Sequence, residues 1–293
     1  MKNIVTEDFK ITVPFDISKA PTIIATDASG GEIAEAKKEI SKKLAKLQDK
    51  LYANNRYSVL VCLQGMDTSG KDSLIREVFK HFNPRGVNVY TFKTPTSAEL
   101  EHDYLWRHYI ALPEKGKFSV FNRSHYENVL ITRVHPELLL NENLPGITET
   151  GKIPSGIWEE RYSQINNFEK HISQNGTIVF KFFLHLSKAE QKKRLLRRLN
   201  KAEHNWKFSP GDLEERELWD AYQDYYEAAL NATSTDHAPW YAIPADDKEL
   251  ARYIVAKTIL DVLIKYDDIK QPDVDEEVTK NINAYRKKLE SED

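Results

Sequence analysis

The sequence holds one cysteine, Cys62, among its 293 residues. No disulfide can therefore form within the chain, and this thiol is expected to be inert packing. Glycine and proline are sparse, at 11 and 12, which excludes collagen-like and low-complexity chains. No run approaches the ~18 consecutive apolar residues of a membrane-crossing helix. The opening MKNIVTEDFK also lacks the apolar stretch of a secretory signal. Neither sign of charge dominates; the net is −3, which as a whole does not point to nucleic acid. The expectation is a cytoplasmic globular protein with no membrane and no nucleic-acid partner. What is present supports a full core: 40% hydrophobic residues, with 5 Trp, 14 Tyr and 12 Phe.

Residues 1–31, punctuated by Pro14, Pro21 and Gly30-Gly31, read as an irregular extension. Ile33, Ile40, Leu44, Leu47 and Leu51 then recur at helical spacing. Five short apolar runs follow, at 57–64, 87–92, 117–121, 177–186 and 240–245, each expected to be a strand. The first, YSVLVCLQ, is almost unbroken by polar residues, as a strand covered on both faces is. Helical patterns lie between them at 73–82, 158–172 and 249–264. Strands alternating with helices predict an α/β fold built on a parallel sheet of about five strands covered by helices. The domain is expected over 32–266, with 267–293 a charged tail or surface helix. The aromatic-rich stretch 219–241 is a candidate interface between subunits.

Gly65-Met66-Asp67-Thr68-Ser69-Gly70-Lys71-Asp72-Ser73 fits G-x-x-x-x-G-K between a buried strand and a helix, the context the motif requires. Loop and helix N–H groups there converge on anionic oxygens, and Lys71 adds a charge for terminal phosphates. Asp72 stands where Ser or Thr usually holds magnesium. Asp67 lies within the loop. Two carboxylates beside a polyanion favour Mg²⁺ between them, with Asp67 the metal contact; Asp72 reads equally as an acid favoured in a helix's first turn.

The third strand runs into Asn122-Arg123-Ser124-His125-Tyr126-Glu127, with Arg133 beyond. Ligands bind past the carboxyl ends of parallel strands, so this cluster is expected beside the loop. Asn122 can coordinate or hydrogen-bond but is no base. Arg123 and Arg133 suit charge stabilisation in phosphoryl transfer, although Arg133, in an apolar run, reads nearly as well as a paired half-buried arginine. His125 reads as a packing residue. Residues 188–207 carry eight Lys/Arg against two Glu. On a helical wheel Leu195, Leu196 and Leu199 form an apolar anchor. Lys193, Arg194, Arg197, Arg198 and Lys201 spread over the other side, as in a lid or polyanion track.

Taken together, the GMDTSGKD loop, Asp103-Tyr-Leu-Trp-Arg107, Phe121-Asn-Arg-Ser-His-Tyr-Glu127, Lys181-Phe-Phe-Leu-His185, Asn205-Trp-Lys-Phe208 and Ala238-Pro-Trp-Tyr241 resemble the polyphosphate kinase 2 family over about residues 30–265. The Asn-Arg-Ser-His-Tyr form is similar to its class III branch. The resemblance implies a P-loop kinase fold like thymidylate kinase, a three-layer sandwich with a helical lid at about 188–208. It implies Mg²⁺-dependent transfer of the terminal phosphate of inorganic polyphosphate to AMP and ADP, and a homo-oligomer. Asp67, Lys71, Asn122, Arg123, Glu127 and Arg133 would line the transfer site. Gly65, Met66, Thr68, Ser69, Gly70, Asp72 and Ser73 would form the phosphate loop, and Arg194, Arg198 and Lys207 would hold polyphosphate. Arg197 and Asn128 stand where relatives carry acids. The alternatives are an ATP-dependent nucleotide kinase similar to thymidylate kinase, and an anion-binding module without catalysis.

Overall fold

The computed structural model describes residues 4–292, the side chains of His204, Trp206 and Lys207 excepted. Five strands, β1 (Ser58–Gln64), β2 (Val87–Thr91), β3 (Phe118–Asn122), β4 (Thr177–His185) and β5 (Trp240–Pro244), form one sheet in the order β2-β3-β1-β4-β5. All four pairings are parallel. Each expected strand is present, its ends within a residue of the apolar run. Every residue of β1 is buried, because alternate side chains enter two cores: Val59, Val61 and Leu63 go to one, Leu60 and Cys62 to the other.

Among the described residues, eight α-helices have at least seven residues: α1 (Gly30–Asn54), α2 (Lys71–Val78), α3 (Ile157–Gln174), α4 (Lys188–Asn200), α5 (Gly211–Glu217), α6 (Trp219–Thr233), α7 (Lys248–Leu263) and α8 (Glu276–Glu290). α1, α2 and α7 share one core with the sheet. α3 and α6 pack on its other face. The result is the expected three-layer α/β sandwich. α1 starts at a capping box: Ser29 accepts from the Glu32 N–H while the Glu32 carboxylate accepts from that of Ser29.

The segment before α1 is irregular, as expected, and is anchored to the sheet: Lys10 bridges Tyr241 antiparallel, and the Ile11 N–H donates to Trp240 O at 2.8 Å. Phe9, Ile11 and Ile17 are buried there. The aromatics of 219–241 do not form an outer face, since Trp219, Tyr222, Tyr226, Trp240 and Tyr241 are all buried within the chain's own cores. The basic segment is helical only to Asn200, with a 3₁₀ stretch over Ala202–Lys207. Of its three leucines Leu195 alone is buried; Leu196 and Leu199 are exposed. The buried stripe is Gln191, Arg194 and Leu195, so hydrogen bonds rather than an apolar seam seat this helix. The charged tail forms α8, on which no residue is buried.

Phe182, fully buried in β4, lies with its ring 6.1 Å from that of Phe180 and 5.6 Å from that of Tyr241. Phe182→Ala should lower the unfolding free energy by about 4 kcal/mol in a denaturant titration. A loss below about 1 kcal/mol would mean that the sheet face closes over the gap.

Candidate active site

β1 ends at Gln64, and the chain turns through Gly65–Gly70 into α2. The turn needs glycine at its first position. Gly65 has φ +147°, and a Cβ there would stand 2.8 Å from Leu184 O on β4. Gly70, at φ +108°, precedes the first turn of α2. The leading N–H groups of a helix have no intrahelical acceptor, so this end favours an anion.

The loop's carbonyls have a full set of partners. Lys71 Nζ donates to Gly65 O at 2.6 Å and to Met66 O at 3.3 Å. Gln191 on α4 donates to Asp67 O at 3.1 Å. One nitrogen of the Arg194 guanidinium donates to both Thr68 O and Ser69 O at 3.0 Å. The Ser73 hydroxyl returns to Gly70 O at 3.0 Å. Six successive carbonyls are thus held by four side chains. The loop keeps its shape although Thr68 sits at φ +65°, unusual for a residue with a Cβ.

β3 delivers the second half of the site. Asn122 pairs in register with Leu63 of β1, which brings the residues after β3 beside the loop. Asn122, buried, donates to Asp72 Oδ1 at 2.6 Å, and that carboxylate lies in the first turn of α2, so both readings of Asp72 hold together. Arg123 donates to Asp67 Oδ1 at 2.9 Å, and its other terminal nitrogen lies 3.7 Å from Glu127 Oε2. Glu127 and then Asp67 hold the Arg123 guanidinium firmly protonated. Burial and the nearby Arg123 charge push the Lys71 ammonium down to about 8, against the pull of Asp67, Glu127 and Asp72. Two cations and three carboxylates are therefore in electrostatic reach of one another. Tyr226 of α6 joins them. It is buried, and burial together with Glu127 pushes its phenol up. Nothing in the sequence singled it out from the other aromatics of α6.

The described residues contain no preset group of three His, Cys, Asp or Glu side chains for a metal. Magnesium does not need one: it takes one or two carboxylates and completes its shell with water and substrate phosphates. Asp67, partly exposed beside the loop, fits that donor set.

Two of the expected site residues are engaged with partners inside the protein. Arg133 is held by aromatic rings: it donates to Tyr162 OH at 3.0 Å and stacks 4.5 Å over Tyr225, with Trp158 at 6.0 Å. This is the half-buried paired arginine, not a loop contact. Arg194 is buried and faces inward. Its Nε donates to Glu190 at 2.9 Å, and its second terminal nitrogen to Ala245 O and Asp246 O at 2.7 and 3.0 Å. With the two loop carbonyls, all five guanidinium donors meet protein acceptors. Arg194 braces the loop against the end of β5 and is not part of an outward cationic face. The wheel that grouped it with Lys193 and Arg197 carried no information about carbonyls on other elements. Lys188, Lys192, Lys193 and Arg197 are the exposed cations of α4. Arg198 pairs with Asp212 at 3.1 Å, and the Lys207 side chain lies outside the described residues. His125 is fully buried, and Asn128 donates to its backbone oxygen at 3.0 Å. Arg194→Ala would leave those acceptors without donors and should cost about 3 kcal/mol of stability by denaturant unfolding. A cost under about 1 kcal/mol would remove the brace.

The family described as Polyphosphate kinase 2 (PPK2) matches residues 28–272. An ADP-polyphosphate phosphotransferase of Rhodopseudomonas palustris is 52% identical over 222 residues, 76% of either chain. An AMP/ADP-polyphosphate phosphotransferase of Meiothermus ruber is 46% identical, over 80% of this chain and 83% of its own. The crystal structure of polyphosphate kinase 2 from Arthrobacter aurescens superposes with a TM-score of 0.86 at 35% identity, covering 96% of each chain. A phosphate loop braced on all its carbonyls, an Asn-Arg pair beside it and these likenesses along the chain's length lead to one conclusion: the chain belongs to the polyphosphate kinase 2 family.

Proposed function

We propose that the protein transfers the terminal phosphate of inorganic polyphosphate to AMP and to ADP, with guanine nucleotides as further acceptors, reversibly and without a covalent enzyme intermediate. The observation that carries this reading is the meeting of Lys71 and Arg123 with Asp67, Asp72 and Glu127 at the ends of β1 and β3. The names of the two relatives support the donor and both acceptors.

In the reaction an oxygen of the nucleotide's terminal phosphate attacks the terminal phosphorus of the polyphosphate. One P–O bond forms, the adjacent anhydride P–O bond breaks, and a polyphosphate one unit shorter leaves. Both reactants are polyanions, so repulsion between them is the main obstacle. The loop amides and Lys71 would bind the phosphates around the reacting phosphorus. Arg123, oriented by Asp67 and Glu127, would face the charge that develops there. Asn122 would hold Asp72 in place. Mg²⁺, held by Asp67 and by the phosphates themselves, would supply neutralising charge. Lys192, Lys193 and Arg197 give α4 an exposed cationic face suited to the rest of the chain-like donor. That density of charge exceeds what one triphosphate needs, which disfavours the ATP-dependent alternative. A homo-oligomer is part of the proposal, and Val278, Ile282, Tyr285 and Leu289, all exposed on α8, are apolar surface for such contacts. Among the described residues no helix is long and apolar enough to cross a membrane.

The test is an assay with Mg²⁺, long-chain polyphosphate and AMP, ADP, GMP or GDP given separately, with nucleotides resolved by chromatography. Triphosphate from both mono- and diphosphate is the expected result. Product from ADP alone would overturn dual acceptance, and transfer only with ATP as donor would overturn the polyphosphate reading. Lys71→Ala should lower turnover about 10³-fold with the fold retained; more than a tenth of the wild-type rate would contradict the loop assignment. Because the Lys71 ammonium is charged below its pKa of about 8, kcat/KM should fall as pH rises through 8. Lys71→Arg, whatever its rate, should lose that alkaline limb.

A further inference from the structure

We propose that the buried Lys181–Glu169 ion pair is a positioning device for Arg123 and Glu127. The inference rests on the phosphoryl-transfer reading and extends it to residues far from the surface. Lys181 is a charged residue in the middle of the most apolar strand, and Glu169 faces it from α3; both are completely buried. A pair so placed is costly to desolvate, and apolar residues of the same size would often serve stability equally well. Its partners suggest what it does.

Lys181 Nζ uses its three donors on Glu169 Oε2 at 2.6 Å, Thr233 O at 2.7 Å and Tyr126 OH at 2.9 Å. The other carboxylate oxygen of Glu169 accepts from Tyr126 OH at 2.8 Å and meets His125 Nε2 at 3.1 Å. Two of these partners, His125 and Tyr126, are consecutive residues of the segment that follows β3. Ser124, just before them, is also fully buried, and its hydroxyl accepts from Gln64 at the end of β1 at 3.2 Å. The residues on either side of this buried triplet, Arg123 and Glu127, are the two that face the site. The triplet is pinned from below, and its neighbours are thereby presented above.

The pin has strain to hold. Arg123 adopts φ +63°, a left-handed conformation that a residue with a Cβ takes only when its surroundings impose it. One turn of 3₁₀ helix, His125–Val129, then returns Glu127 beneath the guanidinium. Without fixed side chains at 125 and 126, the segment is free to relax toward ordinary backbone angles, and the guanidinium moves with it. Arg123 touches Asp67 of the loop, so that displacement is felt at the reacting phosphates.

Lys181→Met would strand a buried carboxylate and lower stability, so the conservative Tyr126→Phe carries the test. It removes one hydroxyl and keeps the Lys181–Glu169 and Lys181–Thr233 contacts. Turnover with polyphosphate and ADP should fall about tenfold, with the KM for ADP changed less than twofold and thermal unfolding within a few degrees of wild type. The deciding measurement is a double-mutant cycle with Arg123→Ala. In that background Tyr126→Phe should cost less than twofold, since its effect passes through the missing guanidinium. Equal losses in both backgrounds, or no loss in the wild-type background, would overturn the proposal. The same cycle is read in parallel on the dissociation constant for inorganic tripolyphosphate. Failure of the transferase reading, seen as no turnover by the wild-type protein, thus stays distinguishable from failure of the cycle.

Discussion

A loop that turns its amides toward an anion must do something with its carbonyls, and this molecule is organised around that constraint. Six consecutive oxygens, from Gly65 to Gly70, are taken up by Lys71, Gln191, Arg194 and Ser73. Two of these come from α2, the loop's own helix, and two from α4, more than a hundred residues away in sequence. The loop therefore belongs to both β1–α2 and β4–α4, and the central pairing of β1 with β4 sets the distance between them. Gly65 is part of the same constraint, since its approach to Leu184 leaves no room for a side chain.

The electrostatics follow from the same packing. Lys71 is drawn back against its own loop, where burial and Arg123 weaken its hold on a proton. Arg123 behaves in the opposite way, because two carboxylates lie against it. One cation is thus poised near neutrality and the other is permanently charged. Two cations of unequal proton affinity suit a site in which phosphate charge arrives, rearranges and departs.

Much of this was legible in the residues themselves. The five strands are apolar runs bounded by turn residues, and burial on both faces left β1 and β4 with almost no polar interruption. The phosphate loop was legible because its glycines answer a local backbone need. Contacts between distant elements were not. Arg194 looks like any cation of a basic helix until Thr68, Ser69, Ala245 and Asp246 are seen to converge on it. Arg133 offered two readings, and the rings of Tyr162, Tyr225 and Trp158 decided between them. The aromatics of α6 suggested an outer interface because hydrophobicity alone does not say which side of a helix meets the core. Lys181 is a lone charge inside TIVFKFFLH, quoted above only as part of a motif. Its partner Glu169 sits in a helix among other charged residues, and no spacing rule joins the two.

The seating of α4 has a mechanical consequence. Gln191 and Arg194 bind the loop, and Leu195 is buried, whereas Leu196 and Leu199 are exposed. A swing of the whole helix would tear those donors from the loop. Further along, Arg198 ties the same helix to Asp212 of α5, so α4 is a strut held at two places and not a hinged flap. The loop, α4 and α5 form one connected frame, and a change in the loop's backbone must be absorbed along all of it.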